Sequence, residues 1–132
     1  MYTYRNTLLI ATALVVFSSS MAQAGTLTVI NKLPNEDIKL CIQSELNPDQ
    51  NRKNCYSHIV KAGAQEEYEI KKEYVRGDNT YKVIAARLDV GPADWNLMGA
   101  TASNLVTDAD HTITIDSILG KLSCTKTPTG PQ

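Results

Sequence analysis

The sequence predicts an all-β fold: an antiparallel β-sandwich of seven or eight short strands, with a small β-barrel as the competing closure. Three observations carry this. Apolar and polar residues alternate at period two in run after run, and helical periodicity is nearly absent. Beyond residue 24 there are 15 Ile and Val against 9 Leu, with 10 Thr. β-branched side chains lose χ1 freedom in helices and pack well on pleated surfaces. Clusters of turn-forming residues punctuate these runs at intervals of roughly 8 to 15 residues, a spacing typical of sandwiches and small barrels.

The first segment reads as an address rather than as structure. Arg5 is followed by the apolar run 8–17, a serine break at 18–20 and the small-x-small pattern Ala22-Gln23-Ala24. That is the pattern of a secretory signal peptide spanning residues 1–24, cleaved after Ala24, so the product is expected to be periplasmic or secreted. Ten apolar residues cover only about half of a ~30 Å hydrocarbon core, which argues against a membrane anchor. No other run of transmembrane length occurs in the mature chain.

The strands follow in order. Residues 26–30 place Leu27 and Val29 on one face, 38–43 place Ile38, Leu40 and Ile42 on one face, and 67–70 and 112–116 alternate most cleanly. Weaker runs lie at 56–60, 81–88 and 97–103, and 118–124 supplies an eighth. The stretch 65–74 has a competing helical reading, because Glu67 and Lys71 stand at i, i+4. Turn chemistry separates the runs at Leu33-Pro34-Asn35, Asn47-Pro48-Asp49, Ala62-Gly63-Ala64, Gly77-Asp78-Asn79, Gly91-Pro92 and Asp108-Ala109-Asp110. A single domain over 25–124 and a flexible tail over 125–132 follow from this pattern.

Charge and composition narrow the function. Arg5 is the only charge in residues 1–24, so the mature 108 residues carry 12 Lys+Arg and 14 Asp+Glu, a net charge of −2. A nucleic-acid footprint would need a basic excess, so none is expected. No Cys-x-x-Cys, His-x-His or His-Glu-x-x-His occurs, and no metal or other cofactor is expected. His58 follows Ser57, but neighbouring strand residues point to opposite faces, so the pair cannot act as nucleophile and base. His111 shares parity with Ile113 and Ile115 and is expected at the mouth of the core. Asp108, Asp110 and Asp116 lack the glycine and closing glutamate of a cation loop, and read as a solvated turn.

Two segments remain as binding candidates. Asp94-Trp95-Asn96 carries the only Trp, which either plugs the core of a phenylalanine-free domain or stacks on a ligand. The loop 46–54 is long and polar, with Asn47, Asp49, Asn51 and Arg52 as its hydrogen-bonding groups. Three cysteines lie in a chain bound for an oxidising compartment, so at least one is unpaired within the chain. Cys41 and Cys55 are centred on Pro48; a hairpin about that point would set them opposite each other and within bridging range. Cys124 is then the free thiol, and a dimer through it is open to the chain; a bridge from Cys124 to Cys41 or Cys55 is the competing pairing. The expected function is that of an exported, non-enzymatic binding module with a protein or glycan partner outside the cytoplasm. Two alternatives are a small hydrolase using Asp108, Asp110 or His111, and a glycan- or membrane-directed factor engaging through Trp95 and Tyr74.

Overall fold

A computed structural model describes residues 24–46 and 56–128. Eight strands form two sheets of four: β1 (Gly25–Asn31), β2 (Ile38–Ser44), β3 (Tyr56–Val60), β4 (Gln65–Ile70), β5 (Thr80–Arg87), β6 (Ala100–Val106), β7 (His111–Ile118) and β8 (Lys121–Lys126). The first sheet runs β4-β1-β7-β8 and the second β3-β2-β5-β6, so the chain passes between sheets after β1, β3, β4 and β6. The fold is all-β and sandwich-like. It is not purely antiparallel, because β1 and β7 pair in parallel, with Leu27 beside His111 and Asn31 beside Ile115.

The alternation in the sequence becomes the interior. Leu27 and Val29 from β1, and Ile113 and Ile115 from β7, meet Ile38, Leu40 and Ile42 from β2 and Val83 and Ala85 from β5. All nine are fully buried. Each of the Val, Leu and Ile side chains contributes about 1.5–3 kcal/mol relative to exposure, which is what holds two otherwise wet sheets together. Buried Asn31 ties the ends of the sheets to each other. Its Nδ2 donates to the carbonyls of Glu36 at 2.9 Å and Val60 at 3.2 Å, and its Oδ1 accepts from the Leu33 amide at 3.0 Å.

Several boundaries differ from the sequence reading. Residues 65–70 form a strand, with register from Thr26 beside Glu69 to Ile30 beside Gln65. Only a 3-10 turn, Lys72–Val75, remains of the competing helix. Pairing with β1 overrides the helical preference of Glu and Lys here. Residues 97 and 98 belong to a single helical turn, Trp95–Met98, rather than to β6. Ile118 ends β7, and a two-residue turn, Leu119-Gly120, leads into β8. Both turn residues have positive φ, 51° and 81°, as a type I′ hairpin requires. Lys126 still belongs to β8, and the Thr127 amide donates to the Thr112 carbonyl at 2.9 Å, so pairing continues past Cys124.

Candidate functional site

The outer face of the second sheet is covered at its centre, over β2 and β5, and this gives the Trp95 segment its role. Cys41, Ile84 and Ala86 point away from the main core and form a second cluster with Val90 and Trp95. Trp95 is 7% exposed. The Lys39 ammonium lies 5.1 Å from its ring centroid and donates to the Val90 carbonyl, and to that of Leu88 at 3.4 Å. Gly99 lets the chain turn back tightly: a Cβ there would stand 2.5 Å from the Trp95 carbonyl oxygen. Trp95 therefore anchors a turn, and the residues just after it project. Leu97 is 87% exposed and Met98 60%.

A second projection lies across a cleft from the first. Arg87, Leu97, Met98 and Gly99 on one side and Gly120, Lys121 and Leu122 on the other line an opening of about 320 Å³. The β7–β8 turn rises beside it, with Ile118 64% and Leu119 101% exposed. Arg87 braces the two sides: its Nε donates to Glu36 Oε2 at 2.8 Å and its Nη1 to the Gly120 carbonyl at 3.3 Å. Leu119 is fully exposed at φ 51°, where a leucine is disfavoured both sterically and by hydration. Burial does not explain this residue. Leu97 and Met98 line the cleft, and Ile118 and Leu119 flank its other wall in sequence; exposed apolar groups of this size are what contact surfaces are made of.

A third grouping closes the open side of the sandwich, between edge strands β3 and β4. Tyr56 stacks on Tyr74 with ring centroids 4.0 Å apart. His58 lies 4.1 Å from Tyr56 and 4.2 Å from Tyr68. Its Nε2 is buried and has no hydrogen-bond partner among the described residues. Burial pushes the Tyr68 hydroxyl up to about 12. Sequence reasoning did not bring these four residues together; the signal was the shared parity of Tyr56 and His58 on β3.

The remaining candidates fall elsewhere. The Asp110 carboxylate accepts from the Thr26 amide at 2.9 Å, and His111 Nε2 accepts from the Val106 amide at 2.8 Å. Two of the three side chains of the hydrolase alternative are thus engaged by backbone, while the third, Asp108, is exposed, as is Asp116. No cluster of three metal-ligating side chains occurs among the described residues. Asp94 is exposed on the 3-10 turn Pro92–Asp94. Trp95 and Tyr74 are not brought together, since Trp95 lies in the outer cluster and Tyr74 packs on the main core. Asn47, Asp49, Asn51, Arg52 and Cys55 lie outside the described residues, as does the side chain of Asn96.

The cysteines also have definite surroundings. Cys41 is fully buried, and Ser57 stands opposite it, two residues from the register a hairpin centred on Pro48 would give. The described pairing is centred one residue later, on Asp49. Cys124 is a free thiol opposite Ile115, packed against the main core, and burial pushes it up to about 12.

No protein-family model matches the chain. No curated protein matches it. Among solved structures, the NMR structure of a protein from Eubacterium rectale is similar over 82% of this chain and 91% of its own, with a TM-score of 0.47 and 11% identity.

Proposed function

We propose that the chain is exported and that its sandwich is a non-enzymatic binding module for a protein partner outside the cytoplasm, engaged through Leu97, Met98, Ile118 and Leu119. The exposed leucine at positive φ on the β7–β8 turn carries this reading, because it costs the free protein in both backbone strain and hydration. A sequence selected for stability alone would place Asn or Gly there. The patch is aliphatic, and the nearby Trp95 ring is buried, which favours an apolar protein surface over a sugar. Export rests on the signal-peptide pattern of residues 1–24.

The same reading includes a Cys41–Cys55 disulfide. Tyr56, the chain neighbour of Cys55, stands opposite Ile42, the chain neighbour of Cys41. Peptide mapping without reduction should yield a fragment linking Cys41 to Cys55, and a fragment linking Cys124 to either of them would refute the pairing.

Leu119→Asn tests the binding surface without endangering the fold. Asn tolerates the left-handed region, so this variant should be as stable as the parent or more so, by about 0.5–1 kcal/mol. Immobilised mature chain should capture a specific partner from the extracytoplasmic fraction, and capture should fall at least tenfold with Leu119→Asn and with Leu97→Gln. Undiminished capture by both stable variants would remove the patch from the binding site.

A further inference from the structure

The two sides of the sandwich are closed differently. β6 and β8 approach each other at the backbone, whereas β3 and β4 approach less closely and meet through side-chain rings. At the centre of that ring cluster is an ionisable group. His58 faces Tyr56 on its own strand, Tyr68 and Glu66 on β4, and Leu40 opposite it on β2; Tyr74 of the 3-10 turn backs Tyr56. Glu66 is the charged group acting on it, and Glu66 is exposed.

We propose that His58 is an acid-operated latch on the β3–β4 seam, protonation of its half-buried imidazole at the enclosed Nε2 releasing the ring cluster and letting the two edge strands part while β2, β5 and β7 stay paired. Neutral imidazole fits the box at the cost of one unmet hydrogen bond at Nε2. Imidazolium would bring two donors and a full charge among phenol rings, with its carboxylate outside. Cation–π attraction to Tyr68 offsets only part of that cost. Swinging out toward Glu66 solvates the charge and pairs it, but removes the ring that bridges the two sheets.

The direction of the pH effect follows from the geometry and from burial. Burial holds the imidazole below its ordinary value of 6.5, with Glu66 pulling the other way. The closed seam therefore keeps its full stability above 6.5 and loses it as the pH falls through 6.5 toward the lower closed-state value. Edge strands joined by side chains belong to the weakest part of a fold, so the opening is local.

Hydrogen exchange on the full mature chain at pH 7.5 and 5.0, corrected for intrinsic rates, tests the latch. Protection over residues 56–60 and 65–70 should fall roughly tenfold at pH 5.0 if one unit separates the open and closed titrations, and by no more than about 30-fold for any larger separation, with β5 and β7 unchanged. His58→Phe keeps a ring without a charge and should hold the seam closed at both pH values. Seam protection independent of pH in the parent, or an acid loss that persists in His58→Phe, would overturn the proposal. Should His58→Phe fold poorly, the parent's own His58 ring resonances decide: a titration midpoint below 6.5 that tracks seam exchange supports the latch, and a midpoint at or above 6.5 refutes it.

Discussion

His111 and His58 occupy comparable places, each on the inner side of a strand and each held below the ordinary histidine value chiefly by burial. Their surroundings differ in two respects. His111 has its Nε2 satisfied by the Val106 amide, 2.8 Å away, and lies on an inner strand of its sheet, with β1 on one side and β8 on the other. His58 has a buried Nε2 with no partner among the described residues and lies on an edge strand. One histidine is part of the hydrogen-bonded framework, and the other fills a gap between sheets. The same side chain, buried on an inner strand and half-buried on an edge, thus stabilises one region and leaves the other conditional on pH.

The largest expected effect separates the two directly. His111→Ala removes the acceptor for a part-buried amide and leaves a cavity beside Tyr81, whose ring lies 6.4 Å away. A loss of about 2–4 kcal/mol is expected from these two costs together. His58→Phe at pH 7.5 removes no hydrogen bond and keeps the ring contacts, so it should fall within about 1 kcal/mol of the parent. Urea midpoints of the two variants check the contrast. Equal losses would mean that the two sites are not different in kind.

Cys124 reports on the closed side. It lies on β8, next to β6, with its thiol packed against the core and pushed up to about 12. Thiolate is the reacting species, so alkylation at pH 8 should be at least about 100-fold slower in the folded chain than in urea. A rate near that of the unfolded chain would show that the β6–β8 side opens readily, and would also make a Cys124-linked dimer accessible.

How much of this could be read from the sequence depends on the range of the contacts. Period-two alternation located the strands, and β3 begins and ends where the apolar run does, because that signal is local. The parallel β1–β7 pair was not legible, since these strands are separated by five others and their pairing is decided by the whole topology. The start of β6 was hidden by Trp95–Met98, where apolar residues serve an anchoring turn instead of a strand. Leu119 was missed because leucine is not a type I′ residue, so the turn carries no compositional mark. The aromatic seam joins strands from different sheets, and only the parity of Tyr56 and His58 hinted at it. Asp94-Trp95-Asn96 leads into the projecting groups: Trp95 is buried, and Leu97 and Met98 are exposed two and three positions further on.

The smallest effect concerns Asp110, which lies beside His111 and exposes the rest of its side chain. Its Oδ1 accepts from the Thr26 amide at 2.9 Å, fastening the start of β1 to the turn before β7. That bond is open to water, so its net contribution is that of an exposed charge-assisted hydrogen bond, about 1 kcal/mol. Asp110→Ala should lower stability by that amount and speed exchange at Thr26, with no change over residues 56–60 and 65–70. Asp110→Asn keeps an acceptor oxygen and should restore most of the loss, which distinguishes a hydrogen bond from a need for negative charge. If Asp110→Ala instead raised exchange across the β3–β4 seam, the two sides of the sandwich would be coupled, and the difference between its two histidines would belong to the whole fold and not to their separate surroundings.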